Sequence, residues 1–76
     1  MSVSYDKLWK LLIDKKMKRS DLKDAAGISF NVLAKMGKNE FVSMDSLVKI
    51  CCTLDCNIGD IIDIIVDKNL QNQEEK

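Results

Sequence analysis

Apolar residues recur along most of this chain at helical spacing. Tyr5, Leu8, Trp9, Leu12 and Ile13 fall at i, i+3, i+4, i+7 and i+8, which predicts a first helix over about residues 5–16. Ser4 is placed to cap it, with Asp6 in its first turn and Lys15, Lys16 and Lys18 near its end, as the helix dipole favours. Ser20 opens a short second helix through Ala26, and Gly27 stops it because glycine takes positive φ without a steric cost. Ile28 plugs the turn. Ser29 then caps a third helix running to Met36, in which Leu33 and Met36 share one face while Phe30, Asn31, Ala34 and Lys35 look elsewhere. Gly37, Lys38 and Asn39 end it. Beyond a loop through Glu40, Phe41 and Val42, Ser43 caps a fourth helix carrying Leu47, Ile50, Cys51 and Leu54. Asn57 and Asp60 form a capping-box-like pair that predicts a fifth.

On that fifth helix, Ile58, Ile61, Ile62 and Ile65 make a core-facing arc, and Ile64 and Val66 widen it to roughly 200°. A second apolar surface on so small a domain is more readily covered by another subunit than left in water. The expectation is a twofold homodimer through Ile64, Val66 and Leu70, with Val3 and Tyr5 able to add a short strand there. The predicted architecture is all-α: a compact bundle of five short helices over residues 1–66, followed by a polar tail at 67–76.

The chain has 76 residues, 46% of them hydrophobic, and no proline. Most of its apolar residues are committed to a core, which leaves little for a deep cleft. Net charge is zero, but residues 1–40 hold nine bases against five acids and residues 41–76 hold three against seven, so one half could face a polyanion while the other faces away. Histidine is absent, and Cys51, Cys52 and Cys56 lack the further ligands of a closed zinc site, so they read as reduced thiols in a cytoplasmic protein. No phosphate-cradling glycine loop or acid/base pair is present; no catalytic residue, metal, cofactor or small-molecule ligand is expected. Apolar runs stop at three residues, far below the roughly 18 of a membrane span.

Two short helices joined through Ala26-Gly27-Ile28-Ser29 carry the marks of a helix-turn-helix. The stretch Ser20-Asp21-Leu22-Lys23-Asp24-Ala25-Ala26-Gly27-Ile28-Ser29-Phe30-Asn31-Val32-Leu33-Ala34-Lys35-Met36 closely resembles the Cro/repressor type of helix-turn-helix family, the lambda-repressor-like DNA-binding domains, which include regulators of the xenobiotic-response-element type. Residues 43–62 resemble that family's fourth and fifth helices, so the likeness spans about residues 5–66. It implies that the third helix enters the major groove of double-stranded DNA while the second lies across it. By family position, Ser29, Phe30, Asn31, Ala34 and Lys35 would meet base edges: Asn31 an adenine, Lys35 guanine O6/N7 and Phe30 a thymine methyl. Lys18, Arg19 and Ser20 at the start of the second helix, and Lys38 and Asn39 after the third, would hold phosphates.

The chain departs from the family where Arg19 stands for a common glutamine and Phe30 for a polar or basic residue. Asp21 and Asp24 also bring negative charge to the second helix, weakening phosphate binding unless Lys23 and Arg19 screen them. The expected function is a sequence-specific transcriptional regulator, a small bacterial or phage repressor made of the DNA-binding domain alone. The alternative is a protein-interaction module on the same fold, an antitoxin or accessory factor, with Phe30 gripping a partner or folding back on the core.

Overall fold

A computed structural model describes residues 2–66. A short strand β1 (Ser2–Ser4) precedes four helices, α1 (Asp6–Asp14), α2 (Arg19–Ala26), α3 (Phe30–Gly37) and α4 (Met44–Leu54). A single 3-10 turn (Ile58–Asp60) and a strand β2 (Asp63–Ile65) follow. β2 pairs antiparallel with β1, placing Ser2 opposite Ile65, Val3 opposite Ile64 and Ser4 opposite Asp63. Val3, Tyr5, Leu8, Leu12, Leu22, Ile28, Met36, Leu47, Ile50, Leu54 and Ile61 form the buried core, so every helix and both ends of the described chain contribute to it.

Two features correct the sequence expectation. Among the described residues there are four α-helices rather than five, and the fold is not all-α. The segment predicted as the fifth helix makes one 3-10 turn, with Asp60 Oδ2 accepting from Asn57 N–H at 2.9 Å, and then extends. Its β-branched run Ile61-Ile62-Asp63-Ile64-Ile65-Val66 suits a pleated strand, and Ser2–Ser4 supplies the partner that completes the ladder. The predicted short strand at Val3 therefore exists, but it pairs within the chain, and Tyr5 caps α1 instead of joining it. Ile64 and Val66 lie on and beside β2, exposed, while Leu70 lies outside the described residues.

Helix starts follow local chemistry. Ser29 Oγ accepts from Val32 N–H and Ser43 Oγ from Ser46 N–H, each at 3.2 Å, as predicted for α3 and α4. Tyr5, not Ser4, is the N-cap of α1, although Ser4 Oγ still accepts from Asp6 N–H at 3.3 Å. For α2 the cap is Lys18, two residues before the predicted Ser20, because the Asp21 carboxylate reaches back to Lys18 N–H at 3.0 Å.

Helix ends share one device. Lys16, Gly27, Asn39 and Asp55 have φ of 60°, 72°, 58° and 54°. In each case the next residue's N–H reaches a carbonyl five positions back: Met17 to Leu12 at 2.9 Å, Ile28 to Lys23 at 3.2 Å, Glu40 to Lys35 at 2.9 Å and Cys56 to Cys51 at 3.0 Å. This left-handed cap satisfies carbonyls that a helix end orphans and turns the chain sharply, which lets four short helices close on one core.

Candidate nucleic-acid interface

The joint between α2 and α3 is built from the core outward. Leu22 is fully buried in α2, Ile28 is buried in the turn, and Leu33 and Met36 bury the inner side of α3. That leaves Phe30, Asn31, Ala34 and Lys35 on the outer side, all exposed, with Ser29 exposed at its N-cap. Phe30 is 68% exposed, so it neither folds back on the core nor closes the helix joint. The structure thus brings the five residues predicted to meet base edges onto one solvent-facing surface, while Val32 turns partly toward the core.

The flanking residues divide. Lys18, Arg19, Ser20, Lys38 and Asn39 are all exposed, the first three around the N-terminus of α2 and the last two beyond α3. Arg19 stacks on Trp9 of α1, its Cζ 3.8 Å from the ring centroid. A Cβ added to Gly37 would sit 3.4 Å from Arg19 Nη1, so the guanidinium also lies against the last turn of α3. Trp9 is correspondingly half-buried: it packs against the core, as its spacing predicts, and also serves as the platform for this cation. Nothing local in the sequence signals a contact between residues ten apart. Asn39 is engaged as well, its Oδ1 accepting from Tyr5 N–H at 3.3 Å, while the Tyr5 hydroxyl donates to the Glu40 carbonyl at 2.7 Å. These two bonds tie the start of α1 to the loop after α3. Burial raises the Tyr5 pKa above the usual phenol value.

The acids of α2 are locally engaged. Asp21 caps its own helix, and Asp24 pairs with Lys23 at 2.9 Å. Of the basic residues, Lys7 is drawn away to Asp63 at 3.0 Å and Lys49 to Asp45 at 3.3 Å. Among the described residues no group of three or more potential ligands could hold a metal ion, and no helix is long and apolar enough to cross a membrane.

Two short helices packed through a glycine turn, with one side of the second helix buried and Phe30, Asn31, Ala34 and Lys35 facing outward on the other, define a helix-turn-helix domain. The model of the Cro/C1-type HTH DNA-binding domain matches residues 7–67, and the chain belongs to that family. No curated protein matches it. Among solved structures it is similar to the crystal structure of the transcriptional regulator VanUg (Form II), at 52% identity and a TM-score of 0.83, covering 87% of this chain and 88% of that one. This is a class of DNA-binding domains rather than of catalysts.

Proposed function

We propose that the chain is a sequence-specific regulator of transcription that binds double-stranded DNA with α3 in the major groove. The observation that carries this reading is the two-sidedness of α3 in a Cro/C1-type domain: Leu33 and Met36 are buried, and Phe30, Asn31, Ala34 and Lys35 face water. Asn31 presents the amide that pairs with adenine and Lys35 the ammonium that meets guanine O6/N7, while Phe30 offers an apolar surface to a thymine methyl. Ser29 and Ala34 allow close approach. Lys18, Arg19 and Ser20 then clamp one phosphate run and Lys38 and Asn39 another, with Arg19 held in place by Trp9. Repression by occupying a site, as in small bacterial or phage repressors, is the mode of action this reading favours.

A twofold dimer completes the reading. Phe41, Met44, Ile58 and Ile64 are 67%, 62%, 40% and 57% exposed and, with Val3, Tyr5, Val42, Leu47 and Ile62, line one open groove of about 440 Å³ without a charged residue. Such an apolar face on a small domain is more readily covered by another subunit than left in water. A second copy supplies an equal apolar area, and two recognition helices about 34 Å apart would read a palindrome.

Selection of bound fragments from a pool of genomic duplexes tests DNA binding and returns the site together. Lys35→Glu with Lys38→Glu should abolish retention while the circular dichroism spectrum stays unchanged. Retention unaffected by that charge reversal contradicts the proposal and favours the protein-interaction module. If about six phosphates are neutralised per dimer, log K falls with log salt at a slope near −5.

A further inference from the structure

Two thiols flank the C-terminus of α4, Cys51 in its last turn and Cys56 two residues past its end. With Asp55 in the left-handed conformation and Cys56 N–H bonded to the Cys51 carbonyl at 3.0 Å, Cys51 and Cys56 occupy the pair of positions whose side chains meet across a helix C-cap. The equivalent pair at the end of α1 is Leu12, in the core, and Met17, packed against it. At α4 the two positions are filled by cysteines instead. Both are half-buried and free, and they share the wall of an open groove with Val48, Cys52, Asn57 and Ile58, so a small oxidant can reach them. Cys52 lines the same groove but is exposed, and the bond that closes the cap joins Cys56 to Cys51 rather than to Cys52. Burial first, and then neighbouring Cys51, push the Cys56 thiol above its ordinary pKa, with Asp60 adding to the rise and Lys15 opposing it.

We propose that Cys51 and Cys56 form a reversible intramolecular disulfide, a modification site at the C-terminus of α4 that leaves Cys52 as a free thiol. Peroxide oxidises one of the two thiols to a sulfenic acid and leaves as water; the second, as thiolate, attacks that sulfur and expels its oxygen as a second water. Two thiols thus lose two protons and two electrons, and a dithiol reductant reverses the change. Closure pins the end of α4 to the segment leading into the 3-10 turn. Ile58 of that turn lines the apolar groove assigned above to the partner subunit, so the bridge would stiffen one wall of that groove.

The test is intact-mass spectrometry with alkylation on the full chain carrying Cys52→Ala, a substitution at an exposed position. After near-stoichiometric hydrogen peroxide the mass should fall by about 2 Da, and the number of thiols that iodoacetamide labels should drop from two to none, both reversed by dithiothreitol. Adding Cys51→Ser or Cys56→Ser to that variant should remove the mass loss entirely. In the otherwise native chain, peroxide should leave Cys52 as the one labelled residue. Oxygen adducts without the loss of hydrogen, a covalent dimer as main product, or a bridge that includes Cys52 would each overturn the assignment. None of these outcomes depends on DNA binding.

Discussion

Residues 19–37 and residues 58–66 both present closely spaced apolar positions between capping residues, and they fold differently. In the first segment the signals are local and agree: Asp21 and Ser29 cap, Gly27 at φ 72° turns, and Leu22 on α2 and Leu33 and Met36 on α3 are buried. In the second, the start signal at Asn57 and Asp60 is real and produces one turn. The residues beyond it are β-branched on nearly every position, so an apolar arc can be drawn at helical spacing although no single face is buried. Of these, Ile61 is buried, whereas Ile64 and Ile65 are exposed on β2. What decides between helix and strand is a partner more than fifty residues away, Ser2–Ser4. Agreement among neighbouring signals therefore predicts the helix-turn-helix, and a capping pair alone does not predict a helix beyond its first turn.

Truncating the joint should have the largest effect. Leu22→Ala, at a fully buried position between the two helices, is expected to cost about 3 kcal/mol of unfolding free energy in urea titrations. Asn31→Ala on the outer face of α3 should leave stability within about 0.5 kcal/mol. It should nevertheless weaken binding to a selected duplex by about 1–3 kcal/mol, measured by fluorescence anisotropy at fixed salt. Gly27→Ala meets no steric obstacle, since nothing lies within 4 Å of the added carbon, so its cost is conformational alone, about 1 kcal/mol. Tyr5→Phe removes one bond to the Glu40 carbonyl and should cost about 1 kcal/mol at neutral pH. The sign at alkaline pH follows from the raised Tyr5 pKa. The native state holds its phenol proton where the unfolded chain has lost it, so stability is intact below pH 10.0 and declines as pH rises through the higher folded value. Tyr5→Phe should flatten that decline. Ile64→Thr on β2 should change monomer stability least, by under about 0.5 kcal/mol, while shifting sedimentation from dimer to monomer.

The parts readable from the chain and the parts that were not separate along the same line. The outer face of α3 follows from counting along one helix, which is why Phe30, Asn31, Ala34 and Lys35 emerge together as exposed. Contacts between elements carry no such periodic signal. The stacking of Arg19 on Trp9 joins α2 to α1, and the bonds from Tyr5 to Asn39 and Glu40 join α1 to the loop after α3. Asn39, which stands at a phosphate-holding position of the family, has one amide atom already committed to that brace. The sequence places an apolar surface at Ile64 and Val66 on a helix, whereas the structure carries Ile64 on a strand. On β2 it gains Phe41 and Met44 as neighbours, which no helical wheel of residues 58–66 could include.

The most direct measurement is a titration of the labelled full chain with a selected palindromic duplex, followed through backbone amide shifts. The account predicts that perturbations concentrate on Ser29, Phe30, Asn31, Ala34 and Lys35, with a second group at Lys18–Ser20 and Lys38–Asn39. Perturbations confined to the groove around Phe41 and Ile64, or absent altogether at concentrations that saturate the protein, would contradict it.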